Sequence, residues 1–88
     1  MKFIKLNSRY VLGREGFTHG LEFASSDTVK QTRVEVKLRE MLGGGWSRYS
    51  WQHSSCHSWG SYRNQKNYRT YIGVRDEAVL TAILLSLT

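Results

Sequence analysis

The feature that most constrains this chain is a helix pattern, punctuated at both ends, that divides it into two parts. Thr28 to Leu42 carries Val34, Leu38, Met41 and Leu42 at helical spacing. Ser25, Ser26 and Asp27 precede it, and these residue types start helices by accepting backbone hydrogen bonds. Gly43, Gly44 and Gly45 follow. Glycine is favoured just past a helix end because it takes left-handed backbone angles without steric cost. Lys37 and Arg39 suit the negative end of the helix dipole. Lys30, Arg33 and Lys37 form a basic stripe beside the apolar face, the pattern of a solvated flank.

Before this helix, Lys2 to Leu12 reads as a strand and Gly13-Arg14-Glu15-Gly16 as a turn. Phe17 to Ala24 resumes strand character, with Phe17, His19, Leu21 and Phe23 expected on one face. The pair reads as a hairpin. After the helix, Trp46 to Gln52 reads as a strand. His53 to Gln65 reads as a loop, with a poorly formed strand near Ser58 to Tyr62. Asn67 to Val74 is a strand with Tyr68, Thr70, Ile72 and Val74 facing one way and Arg69, Tyr71, Gly73 and Arg75 the other. Asp76 caps a last helix, Glu77 to Leu87, apolar nearly all round. Leu80, Leu84 and Leu87 lie near one stripe of it, which would suit either burial or a homodimer across a two-fold axis.

The order is therefore ββαββα. It predicts a small α+β fold, one domain over residues 1–88, with an antiparallel sheet of about four strands and two helices on one face. The other sheet face would be open to solvent or a ligand.

Charge is distributed unevenly over this plan. Residues 41–75 contain five Lys/Arg and no carboxylate, so they carry +5 of the net +6. The remaining eight cations face seven carboxylates. The same stretch holds seven of the eleven aromatic residues. Cations attract phosphates and aromatic faces stack on bases. The expected function is a non-enzymatic module that binds RNA or single-stranded DNA through an aromatic and arginine hairpin surface. Arg48, Arg63, Lys66, Arg69 and Arg75 would supply charge, and Trp46, Trp51, Trp59, Tyr62 and Tyr71 the stacking. Trp, Tyr and Arg also dominate protein–protein hot spots. The alternative is accordingly a small inhibitor, including a viral one directed at a host, that covers an acidic protein or nucleoprotein surface.

Other chemistry is less well supported. His53, Cys56 and His57 are residue types that zinc accepts, but their spacing matches no zinc pattern, so no metal or cofactor is expected. A metal-independent ribonuclease using His53, His57, Arg63 and Arg69 is a third, weaker reading. The glycine triplet lacks the Lys-Ser/Thr of a phosphate loop. The lone Cys56 admits no intramolecular disulfide, and no signal peptide or membrane-spanning run is expected, which together suggest the cytoplasm.

Overall fold

A computed structural model describes residues 1–86. The elements are β1 (Lys2–Lys5), α1 (Val11–Arg14), β2 (His19–Phe23), α2 (Thr28–Leu42), a 3-10 turn (Ser54–Cys56), β3 (Trp59–Arg63), β4 (Thr70–Val74) and α3 (Glu77–Ser86). The four strands form one antiparallel sheet in the order β1-β2-β4-β3. The α+β class, the four-stranded sheet and the two long helices on one face agree with the sequence pattern.

The helix-side core follows from the pleat. Leu21 pairs with Ile72, and Trp59 pairs with Val74. These residues and Phe23 share a face, and they bury against Val34 and Leu38 of α2 and Leu80 and Ile83 of α3. Trp59 is only 2% exposed, and its indole Nε1 donates to the Gly43 carbonyl at 2.9 Å. That bond ties the end of α2 to the sheet. Gly43 ends α2 with φ 82, the left-handed angle that favours glycine. Asp76 Oδ1 accepts from the Ala78 backbone N–H at 2.9 Å and so caps α3. Asp27 stands at the start of α2 without capping it. Its Oδ2 accepts instead from the Ala24 N–H and from the Met1 terminal ammonium.

Part of the apolar stripe on α3 is buried within the monomer. Leu80 belongs to the core and Leu84 packs against it. Leu87 lies outside the described residues. Among the described residues no helix is long and apolar enough to cross a membrane.

The opposite face of the sheet is covered, contrary to expectation. Gly20, Gly73 and Gly60 are register partners across β2, β4 and β3, and they form a row without side chains. The chain from Leu6 to Phe17 lies directly on this row. Leu6, Leu12, Phe17, Trp46 and Tyr71 make a second core there. A β-carbon on Gly73 would sit 2.7 Å from Leu6 Cδ1 and 3.0 Å from Phe17 Cβ. Such contacts are possible only against bare backbone.

Two local expectations also change. β1 and β2 do pair as an antiparallel hairpin. However, residues 10–15 coil into a helical turn in place of a continued strand. Asn7 initiates it, accepting from Arg9 N–H through Oδ1 and from Tyr10 N–H through its carbonyl. Gly16, at φ 95, ends it. The reversal places Phe17 on the second core and not on the face of Leu21 and Phe23.

The strand expected at Trp46 to Gln52 is reduced to one parallel bridge between Trp46 and Gly60. Trp46 bonds β3 through both backbone groups, to Trp59 O at 2.9 Å and from Ser61 N at 2.8 Å. Ser47 and Ser50 then close a turn, with Ser50 Oγ accepting from Ser47 N–H at 3.0 Å. Serine hydroxyls offer the backbone local partners and compete with a ladder. The place in the sheet goes to β3, where only a weak strand was expected.

Candidate functional site

The β3–β4 connection is built by two asparagines. Asn64 Oδ1 accepts from Lys66 N–H and Asn67 Oδ1 from Arg69 N–H. Tyr68 takes φ 58 there, an uncommon angle for a side-chain-bearing residue. The loop holds Asn64, Gln65 and Lys66 beside α1, at the edge of the second core. Between them lies a cleft of about 440 Å³.

Four cations line this cleft: Arg9, Arg14, Arg48 and Lys66. Three tyrosines, Tyr10, Tyr62 and Tyr71, form its walls, and no carboxylate among the described residues lines it. Tyr10 meets Tyr71 edge-on, with centroids 5.6 Å apart at 64°. Asn67 Nδ2 donates to the Tyr71 hydroxyl at 3.3 Å. The Arg48 guanidinium carbon lies 5.7 Å from the Tyr62 centroid and 5.8 Å from that of Tyr49. These contacts orient a side chain that is otherwise exposed. The ion pairs among the described residues involve none of the four lining cations. Glu15 follows Arg14 in the chain, but its Oε2 accepts from the buried Ser54 hydroxyl at 2.8 Å, outside the lining.

A second depression of about 290 Å³ adjoins the first. It is lined by Ser47, Arg48, Tyr49, Ser61, Tyr62, Arg63 and Gln65. Arg48, Tyr62 and Gln65 belong to both. The two make one cationic track over the Arg48–Tyr62 ridge. Beyond it, the turn after Trp46 shows Tyr49 and Trp51 to solvent, at 82% and 91% exposed.

The residues expected to form the site are thus divided. Arg48, Tyr62, Arg63 and Lys66 come together on the track, whereas Tyr71, expected to stack on bases, is 9% exposed and backs the cleft as part of the second core. Trp51 is exposed but does not line it. Trp46 and Trp59 are 8% and 2% exposed and serve the two cores. Their rings are not presented for stacking.

Arg69 faces away from the long helices as expected, but it is ion-paired with Glu22 of β2. That hydrogen bond, reinforced by the carboxylate charge, holds the Arg69 guanidinium above its ordinary pKa. Arg75 lies over the Phe17 ring at 4.3 Å, with Nε donating to His57 O and Nη2 to Ser54 O. It anchors the 53–57 segment and does not line the track.

The histidine–cysteine segment has a structural role of the same kind. His53 Nδ1 accepts from Ser55 N–H at 3.1 Å and caps the 3-10 turn. His57 Nδ1 is 3.2 Å from the Gly44 carbonyl and so carries the hydrogen, while its Nε2 is buried without a hydrogen-bond partner. Among the described residues no group of three or more His, Cys, Asp or Glu is placed to hold a metal ion.

Arg9, Tyr10 and Arg14 were missed by sequence reasoning because they lie outside the carboxylate-free stretch, in the part whose charge nearly cancels. The available signal was local. Asn7 and Gly16 bracket a turn, and Arg9 and Arg14 sit within it. No family model, curated protein or solved structure matches this chain.

Proposed function

We propose that this chain is a non-enzymatic module that binds single-stranded RNA or DNA along the track defined by Arg9, Arg14, Arg48, Arg63 and Lys66. One observation carries the reading: among the described residues, four cations outside any ion pair line one cleft with three tyrosines and no carboxylate. Phosphates neutralise such cations and release counterions, while the half-buried Tyr10 and Tyr62 offer ring surface to bases regardless of sequence. A volume of about 440 Å³ is at the small end of binding sites, which run roughly 300–1,000 Å³. It suits a single nucleotide unit and not a duplex. The adjoining depression offers room for a neighbouring unit. Asn64 and Gln65 supply amide groups for base edges or phosphates. The exposed, unpaired Cys56 is in keeping with a reducing, cytoplasmic setting.

The test is a titration of labelled single-stranded RNA and DNA against wild type and Arg48→Gln/Lys66→Gln at several salt concentrations. Each lost phosphate contact lowers the slope of log K against log salt by about 0.7, so the double variant should flatten it by about 1.4. Unchanged affinity and slope would remove the assignment.

A second reading rests on a different observation, the exposure of Tyr49 and Trp51. An aromatic pair on a hydrogen-bonded turn beside Arg48 has the composition of a protein–protein hot spot. In that reading the chain is an inhibitor, of viral origin or otherwise, that anchors these rings in an acidic protein surface. Binding would then be stoichiometric, lost in Trp51→Ala, and insensitive to competing polynucleotide.

A further inference from the structure

The two depressions on the track differ in charge. The larger is lined by Arg9, Arg14, Arg48 and Lys66, and the smaller by Arg48 and Arg63. An internal phosphodiester brings a single negative charge, so a strand running through evenly would leave the larger depression over-supplied with cations. A terminal phosphomonoester carries about −1.5 to −2 at pH 7 and presents three acceptor oxygens. Arginine forks match those oxygens with paired, charge-assisted hydrogen bonds. Two of the lining arginines come from the 6–17 segment laid across the glycine row, Arg14 from α1 and Arg9 from the turn just before it, and Arg48 is held by Tyr49 and Tyr62 from the other side.

We infer that the larger depression seats the phosphorylated end of a single strand, with the following nucleotide passing over Tyr62 into the smaller one. This rests on the nucleic-acid reading above and adds to it that the cleft takes a strand end. The strand does not run through the cleft but ends there. The same chemistry is offered by a free mononucleotide, which would occupy the larger depression alone.

The experiment compares one internally labelled oligonucleotide in four forms: hydroxyl at both ends, 5′-phosphate, 3′-phosphate, and closed into a circle. Competition by free 5′- and 3′-mononucleotides is measured beside them. One phosphorylated form is expected to bind about tenfold or more tighter than the hydroxyl-ended and circular forms, the gain of one charge-assisted pair. In Arg9→Gln/Arg14→Gln the ratio between phosphorylated and hydroxyl-ended forms should fall to near one, whatever the change in absolute affinity. Both side chains are solvent-facing, so the fold should survive, and an unchanged far-UV spectrum checks it.

Equal binding of all four forms would overturn the inference and leave the strand-binding reading standing. Tight binding of a mononucleotide, lost in the double variant, with no binding of any oligonucleotide would keep the phosphate pocket and overturn the strand reading. Binding of neither would overturn both.

Discussion

Gly73→Ala tests the packing on which the cleft depends. Gly73 lies in the middle of the glycine row, paired with Gly20 on one side and Gly60 on the other. The added methyl would meet Leu6 Cδ1 at 2.7 Å, Phe17 Cβ at 3.0 Å and Leu12 Cδ1 at 3.3 Å. Leu6 Cδ1 is a side-chain tip and can rotate away. Phe17 Cβ cannot move without its backbone, and the Phe17 N–H is bonded to Leu12 O at 3.1 Å. The 6–17 segment must therefore lift as a unit. Overpacking of this kind costs about 1–3 kcal/mol. A chain of this size has a total stability of about 4–13 kcal/mol, so the loss is substantial. With a urea m-value of about 1–3 kcal/mol/M, the midpoint should fall by about 1 M. Gly44→Ala is the control, since a β-carbon there meets nothing within 4 Å. Equilibrium urea unfolding followed by tryptophan fluorescence reads both variants. A midpoint for Gly73→Ala equal to that of Gly44→Ala would show that the 6–17 segment does not rest on the glycine row. The same lift would carry Arg9, Tyr10 and Arg14 away from Tyr71, so the nucleic-acid affinity proposed above should drop with stability.

Three further expectations follow from the contacts. Arg69→Ala should leave the salt slope of binding unchanged, because Arg69 is committed to Glu22 and does not line the track; a flattened slope would return Arg69 to the site. Asp76→Ala removes the cap of α3 and should cost about 0.5–2 kcal/mol in urea unfolding, with no loss at all refuting the cap. Asp27 is held below the usual carboxylate pKa by the hydrogen bond from the Met1 ammonium, aided by the Ala24 N–H. Its contribution is therefore present above the unfolded value near pH 4 and is lost as pH falls through the lower folded value. Acetylating the terminal amine should weaken that acid-side dependence, and an identical pH profile after acetylation would exclude the pair.

The local patterns legible in the sequence were those in which neighbours along the chain decide the outcome. The Thr28–Leu42 helix was bounded correctly because its apolar spacing and the glycines after it are local signals. Asp76 could be read as a cap for the same reason. The inward face of β4 followed from alternation, which placed Ile72 and Val74 together and Arg69 and Tyr71 opposite. The errors fell where distant segments compete for one surface. Trp46 to Gln52 has the residues of a strand, but β3 takes the ladder position, and Trp46 keeps only a bridge beside it. Gly20, Gly60 and Gly73 look unrelated in sequence, and only strand register aligns them into a floor for Leu6, Leu12 and Phe17.

The carboxylate-free, aromatic-rich composition of residues 41–75 was a property of the sequence alone, and it pointed to an anionic partner. Which cations remain available was decided by tertiary structure. Glu22 reaches Arg69 across the sheet, and Arg75 is spent on Phe17 and backbone carbonyls. Arg9 and Arg14, from a segment that looked electrically balanced, are delivered to the cleft while Ser54 draws Glu15 out of it. Charge counts are additive along a chain, but a binding site depends on which charges meet their partners in space, and that is set only when the strands pair.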